Sequence, residues 1–89
     1  MKTHEIKSWP EFFQALWDGS KKFEIRFDDR DYQVGDVLLI KEWDDRKSVY
    51  TGRTLRRRIT YKLEGIGGGA IAPYHGLVRG YAGLSLADE

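Results

Sequence analysis

The sequence predicts a small α+β domain in which one short N-terminal helix accompanies a curled β-sheet or partial barrel. Three observations support this fold class. The chain has 89 residues, enough for one domain, so we expect residues 1–89 to form a single unit. Apolar residues recur at helical spacing in one early segment, over residues 9–17. Elsewhere apolar and polar residues tend to alternate, which is typical of strands joined by turns.

The N-terminal segment predicts a strand followed by the helix. Thr3–Lys7 has the pattern of a short strand. Ser8, Pro10 and Glu11 match a capping box, with Ser8 as the N-cap residue and Glu11 reaching back to it. Gly19 supplies the C-terminal stop signal of the helix. The apolar stripe between these signals consists of Trp9, Phe13, Leu16 and Trp17.

A strand of alternating apolar and charged residues follows the helix. Its apolar members are Phe23, Ile25 and Phe27, and its charged members are Glu24, Arg26 and Asp28. We expect the apolar face to anchor the core and the opposite face to present a carboxylate between cations. That charged face is either a solvated strand surface or, because opposed charges line up along it, a recognition pocket.

Three further strands complete the predicted sheet. Val37–Trp43 is apolar on both faces at its start, which favours a central strand, and Asp44–Gly52 predicts a long hairpin connection. Thr54–Glu64 is the next strand, and its apolar face comprises Leu55, Ile59, Tyr61 and Leu63. Arg57 breaks this alternation, which indicates either a β-bulge or a position at the mouth of the core facing a carboxylate. Leu77–Leu86 is the last strand.

Composition excludes several classes of function. The chain has no Cys and two His, so we expect neither a disulfide framework nor a zinc site. The paired acids Asp28/Asp29 and Asp44/Asp45 are typical turn formers, so we expect no metal and no cofactor. No apolar run approaches the roughly 20 residues of a membrane span, and the absence of Cys fits a cytoplasmic protein. The net charge of +1 argues against a general polyanion binder.

The strand over residues 54–64 and the residue before it form one candidate binding surface. Its cations are Arg53, Arg56, Arg58 and Lys62. They either contact phosphates, with Tyr50 or Tyr61 stacking on a base, or form a solvated face that balances nearby acids. The glycine-rich segment Gly65–Gly76 lacks the Lys-Ser/Thr of a P-loop. It therefore predicts a flexible connection that closes over a ligand rather than a nucleotide fingerprint.

Lys21, Glu24 and Arg26 form the second candidate site. A lysine whose charge is disfavoured by burial beside an arginine can act as a base or nucleophile, and a glutamate can relay a proton. The same three residues could equally form an ion-pair cluster at the mouth of the barrel. Trp9, beside the helix cap, is a candidate stacking platform, whereas His4 on the first strand is expected to be a structural histidine.

These segments together resemble the DUF3850 family, which belongs to the ASCH group of PUA-like domains and is common in bacteria and their phages. The resemblance covers nearly the whole chain, and the segments occur in the expected order. They are His4-Glu5-Ile6-Lys7, Trp9-Pro10-x-x-Phe13, Gly19-Ser20-Lys21-Lys22-Phe23-Glu24-Ile25-Arg26, Asp29-Arg30, Val34-Gly35-Asp36 and Tyr50-Thr51-Gly52-Arg53. The resemblance implies a PUA-like β-barrel with a helix packed near one end.

The resemblance also implies a cleft for RNA or a nucleotide beside the Gly-x-Lys-x-x-Glu-x-Arg segment. It assigns Lys21, Glu24 and Arg26 to that cleft, with His4, Lys7 and Trp9 as neighbours. Some ASCH relatives are amidohydrolases acting on acetylated cytidine, with a Lys in the position of Lys21 and a Thr where this chain has Glu24. Other relatives are described as metal-dependent ribonucleases.

The resulting hypothesis is a binding module for RNA or a nucleotide. Its cleft carries Lys7, Trp9, Lys21, Glu24 and Arg26, and a second set of cations, Arg56 and Arg58, steers the polyanion. The alternative is a small hydrolase acting on an acylated cytidine or on RNA, in which Lys21 and Glu24 are the catalytic pair. A role in binding an acidic protein partner is a third possibility.

Overall fold

In the computed structural model, which describes residues 1–66 and 76–89, one helix and a curled five-stranded sheet form a small α+β half-barrel. The described elements are β1 (Thr3–Ser8), α1 (Pro10–Asp18), β2 (Phe23–Phe27), β3 (Val37–Asp44), β4 (Val49–Glu64) and β5 (Tyr81–Asp88). The strand order is β1-β3-β4-β5-β2. The β1–β3 pair is parallel and the other pairs are antiparallel. The strands β1 and β2 are thus the two edges of the sheet, and β4 is its middle strand.

The predicted helix is present, but its N-terminus differs from the prediction. Ser8 is the last residue of β1, where its side chain is buried and it pairs with Glu42, so it does not cap α1. Trp9 is the N-cap residue without a side-chain cap bond, and Pro10 begins the helix. Gly19 ends it as predicted, in the left-handed conformation (φ 85°), with its N–H bonded to the carbonyl of Leu16. At nine residues, α1 is too short to span a membrane.

One hydrophobic core fills the concave side of the sheet. Its members are Ile6, Phe13, Leu16, Tyr32, Leu38, Ile40, Leu55, Ile59, Ala82, Leu84 and Leu86. Tyr32 belongs to the β2–β3 connection, yet it is 1 % exposed. The polar segment around it gave no indication of a core residue, because a single aromatic residue in a connection has no periodicity.

The predicted orientation of β2 is wrong. Phe23, Ile25 and Phe27 are 49 %, 55 % and 57 % exposed, whereas Glu24 is 4 % exposed. The reason lies in the register with β5, where Glu24 pairs with the buried Leu84 and so shares its inward face. An alternating pattern shows that a strand has two faces, but a charged face can point inward when its charge is neutralised locally.

The strand β4 follows the predicted alternation only in its first half. Leu55 and Ile59 are buried as expected, but the register of the β4–β5 pair shifts between Ile59 and Tyr61. Beyond this irregularity Tyr61 and Leu63 face outward, 60 % and 37 % exposed, and Lys62 turns inward. The strand also begins earlier than predicted, at Val49, so the hairpin connection shortens to residues 45–48.

Arg57 occupies the second of its two predicted positions, at the mouth of the core. One of its guanidinium N–H groups donates to the carbonyl of Leu16 at 3.2 Å, and its Nε lies 3.6 Å from a carboxylate oxygen of Asp88. Arg57 therefore connects the last turn of α1 to β4 and β5. The predicted last strand is also shorter than expected, since β5 begins at Tyr81.

Candidate functional site

An open groove of about 650 Å³ lies between the start of α1 and the free edge of β2. The groove, as we use the word below, is lined by Lys7, Ser8, Trp9, Phe12, Lys21, Phe23, Glu24, Ile25 and Arg26. The lining includes all five residues that the sequence analysis assigned to the binding cleft. These residues come from four segments: β1, the N-cap, the α1–β2 connection and β2. The structure thus brings Lys7, Trp9, Lys21, Glu24 and Arg26 together at one surface.

Glu24 is the buried centre of the groove. Its two carboxylate oxygens contact two cations, with Lys21 Nζ 2.7 Å from Oε1 and Arg26 Nη1 3.4 Å from Oε2. The side chains of Lys21 and Arg26 are 19 % and 30 % exposed, so both cations remain accessible from the groove. Together with Lys7, the groove carries three cations and one carboxylate, which suits a ligand with negative charge and some N–H donors.

Aromatic and aliphatic side chains form the apolar part of the groove. Trp9 is 51 % exposed and stacks against Phe12, with ring centroids 6.3 Å apart and planes inclined by 25°. Lys21 Nζ lies over the rings of Phe12 and Phe23, at 5.3 and 5.5 Å from their centroids. Because half of the Trp9 indole faces solvent beside these cations, a planar ligand can stack on it.

The groove is located where the half-barrel is open. The edges β1 and β2 do not pair with each other, and we call the gap between them the seam. Two arginine side chains cross it to β1, one from β2 and one from the β2–β3 connection: Arg26 Nη1 donates to the carbonyl of Lys7 at 3.2 Å, and Arg30 Nη1 donates to the carbonyl of Glu5. These bonds satisfy acceptors that an exposed edge would otherwise leave to solvent.

The cations of β4 lie elsewhere and have carboxylate partners. Arg56 Nε is 2.6 Å and Arg58 Nη2 is 3.8 Å from Glu89, and Lys62 Nζ is 2.7 Å from Asp28. Since β4 is the middle strand and the groove lies at the two edges, the predicted steering residues Arg56 and Arg58 are on the far side of the half-barrel from the groove. The structure does not bring them to the candidate site.

Arg53 belongs to a second cluster, around the buried carboxylate of Glu42, which the sequence analysis did not predict. It contacts both oxygens of Glu42 at 3.0 Å, and the hydroxyl of Thr51 donates to Oε1 of the same carboxylate at 2.6 Å. The guanidinium lies over the rings of Phe13 and Trp17, 4.9 and 5.1 Å from their centroids. The hydrogen bonds from Arg53 and Thr51 hold the pKa of Glu42 below its usual range. The segment Tyr50–Arg53 therefore ties α1 to β3.

His4 has the partner of a structural histidine. Its Nε2 is 2.8 Å from a carboxylate oxygen of Asp36, both side chains are buried, and its ring meets Tyr32 edge to face. Burial alone would raise the pKa of Asp36, but hydrogen bonds from His4 and from the backbone N–H groups of Lys2 and Gln33 outweigh it and lower that pKa. His4 does not line the groove.

Two other sequence predictions concern acidic pairs and the glycine-rich segment. Within residues 1–66 and 76–89, no three His, Asp or Glu side chains converge as a metal site would require. Asp44 acts as a turn former, since its carboxylate accepts the N–H groups of Arg46 and Lys47. Most of Gly65–Gly76, at residues 67–75, lies outside the described residues.

These features define a small half-barrel protein with a partly apolar, cation-bearing groove at its open seam. The chain belongs to the family described as domain of unknown function DUF3850, whose model matches residues 3–83. It is also 41 % identical over 59 residues to an uncharacterised 12.9 kDa protein of Escherichia phage P2, encoded in the 3′ region of GpA. That match covers 66 % of this chain and 52 % of the phage protein, so the chain spans about half the length of this curated relative.

Proposed function

We propose that this protein is an RNA- or nucleotide-binding module of the ASCH group of PUA-like domains and that the groove is its binding site. One observation carries the proposal: residues from four separate segments converge to place an exposed indole, three cations and a buried carboxylate around one groove. A nucleotide combines a stacking face, N–H donors and anionic oxygens, and each has a matching group here.

The groups divide the recognition between them. The exposed face of Trp9 stacks on the base, and Glu24 accepts hydrogen bonds from base N–H groups. Lys21 and Arg26 donate to carbonyl or phosphate oxygens, for which a guanidinium offers five N–H donors in a planar fork. Lys7, on the opposite wall, adds positive charge. The fold supports the family assignment, because a curled sheet with a helix near one end is what a PUA-like domain would have.

The contacts of Lys21 favour binding over hydrolysis. A lysine that acts as base or nucleophile must be uncharged. Lys21 Nζ instead forms a 2.7 Å ion pair with Glu24 and lies over two aromatic rings, all of which attract a cation. Hydrolysis of an acylated cytidine or of RNA is therefore treated as an alternative outcome of the test below.

The test is direct binding of single-stranded RNA, measured by fluorescence anisotropy of a labelled random-sequence octamer with unlabelled nucleotides as competitors. Lys21→Gln should weaken binding by about tenfold, because a charge-assisted hydrogen bond contributes about 1.5–3 kcal/mol. Lys47→Gln removes the same charge from the exposed β3–β4 turn and is the matched control. Equal affinity of the Lys21 variant and wild type would overturn the assignment of the groove.

The same samples distinguish the enzymatic alternative. Mass spectrometry of the protein incubated with acetylated cytidine and with the octamer should show both unchanged. A deacetylated or cleaved product that disappears in the Lys21→Gln variant would replace the binding module by a hydrolase.

A further inference from the structure

A second, smaller cavity of about 220 Å³ adjoins the groove across the seam. We call it the recess. It is lined by the cations Lys7, Arg26, Arg30 and Lys41, together with Glu5 and Tyr50. Lys7 and Arg26 line the groove as well, so the two cavities share a wall and form one continuous surface.

The recess differs from the groove in its charge. Its four cations face one carboxylate, that of Glu5, which lies 2.5 Å from Lys41 Nζ. Glu5 is 59 % exposed at its side chain, so this pair is open to solvent and to competition from a stronger anion. A phosphate fits this arrangement because it offers several acceptor oxygens to ammonium and guanidinium groups at once.

Tyr50 extends the recess with an aromatic face. It is 49 % exposed and meets Trp43 edge to face, with centroids 4.9 Å apart. Lys7 Nζ lies 4.0 Å from the centre of the Trp43 ring, and Lys41 Nζ lies 5.5 Å from that of Tyr50. Cations and aromatic rings therefore alternate along this wall, as they do on surfaces that bind single-stranded nucleic acid.

We propose that the recess binds the phosphate of the nucleotide next to the one whose base occupies the groove. This inference rests on the proposed function and specifies its ligand class: a single-stranded oligonucleotide of at least two nucleotides rather than a mononucleotide. Arg26, at the shared wall, contacts the linkage between the two nucleotides. Tyr50 stacks on the second base.

The test compares ligand lengths on the same protein. Competitors are a mixture of the four nucleoside 5′-monophosphates and 5′-phosphorylated random-sequence RNA of two, four and eight nucleotides, against the labelled octamer, so that each added nucleotide brings one added phosphate. We expect affinity to rise by about tenfold from monophosphate to dinucleotide and less thereafter. Lys41→Gln should remove most of that gain while leaving monophosphate affinity unchanged, and Lys47→Gln should leave both unchanged.

A second substitution in the recess should raise the affinity instead of lowering it, which damage to the fold would not do. Glu5→Gln removes the carboxylate of the recess and should strengthen dinucleotide binding by about threefold or more, since a nearby negative charge opposes the phosphate. If monophosphates and oligonucleotides bind equally and Lys41→Gln changes neither affinity, the recess is not a phosphate site and the groove assignment stands. If no member of the series binds, the proposed function fails together with this inference.

Discussion

Two of the three buried carboxylates among the described residues, those of Glu24 and Glu42, lie in contrasting surroundings, while the third, Asp36, pairs with His4. Glu24 and Glu42 are both about 95 % buried, and both contact an arginine. Glu42 receives bonds from Arg53 and Thr51, which lie two residues apart on β4, and its arginine packs against aromatic rings of α1 while staying 40 % exposed. Glu24 is held by two cations that line an open groove.

This contrast shows how similar ion pairs serve different purposes. At Glu42 both carboxylate oxygens accept hydrogen bonds from residues of β4, and the arginine packs against aromatic rings of α1. At Glu24 both partner cations line the groove, so they can contact a ligand there. We therefore expect changes at Glu42 to reduce stability and changes around Glu24 to reduce ligand binding.

The largest expected effect is the loss of stability on replacing Glu42. Glu42→Gln removes the buried charge that accepts three hydrogen bonds, so the free energy of unfolding should fall by about 2 kcal/mol. Urea denaturation followed by circular dichroism measures this change. Glu24→Gln is the matched variant and should cost less, because it weakens two hydrogen bonds, one of them 3.4 Å long, instead of three of 3.0 Å or shorter. Equal losses for the two variants would contradict the comparison.

The next effect concerns binding and uses the two tryptophans at opposite ends of α1. Trp9 and Trp17 are both 51 % exposed, but only Trp9 lines the groove. Trp9→Ala should weaken binding of the RNA octamer by about tenfold, since stacking of one base on an aromatic ring contributes about 1–3 kcal/mol. Trp17→Ala should leave the affinity unchanged, as measured by the same anisotropy assay. A larger loss for the Trp17 variant would separate the binding site from the groove.

A smaller effect is the dependence of stability on pH. The pKa of Glu42 is lowered in the folded protein, chiefly by the hydrogen bond from Arg53, so its stabilising contribution is complete above the unfolded-state pKa of about 4.3. The contribution is lost as pH falls through the lower, folded-state pKa. Wild type should therefore lose free energy of unfolding below about pH 4.3 more steeply than Glu42→Gln does. The free energy of unfolding of both proteins is measured by urea denaturation between pH 5 and pH 2.5. The same pH dependence for wild type and Glu42→Gln would contradict this assignment.

The smallest effect is expected on β4. Arg56 is bound to Glu89 on the opposite side of the half-barrel from the groove, so Arg56→Ala should change RNA affinity by less than twofold. The anisotropy assay with the labelled octamer, run at two salt concentrations, measures this change, and Lys21→Gln is measured in parallel for comparison. A loss equal to that of Lys21→Gln would restore the steering role that the sequence predicted for Arg56 and Arg58.

Local signals in the sequence were sufficient for the helix, its glycine stop and most of the strands. The resemblance to DUF3850, rather than any local signal, grouped Lys7, Trp9, Lys21, Glu24 and Arg26, and it also placed beside them His4, which does not line the groove. Pattern alone did not give the inward orientation of Glu24. That orientation depends on the pairing of β2 with β5 and on cations that neutralise the carboxylate, and both are tertiary features.

Three other differences between the sequence predictions and the structure also arise from tertiary contacts. The irregularity after Ile59 reverses the alternation of β4, so Lys62 reaches Asp28 and the carbonyl of Tyr32 instead of solvent. The pairing of Arg53 with Glu42 joins residues on different strands, and no spacing within either strand indicates it. The burial of Tyr32 likewise depends on where a connection crosses the sheet.

The seam joins its two edges through side chains rather than through a backbone ladder. A ladder would hold neighbouring strands at a spacing of about 4.8 Å that does not depend on sequence. Here the reach of the Arg26 side chain to the carbonyl of Lys7 sets the local separation of the strands. The aperture of this half-barrel therefore depends on the lengths of the two arginine side chains that cross the seam, so a shorter residue at either position would change its width without any change in topology.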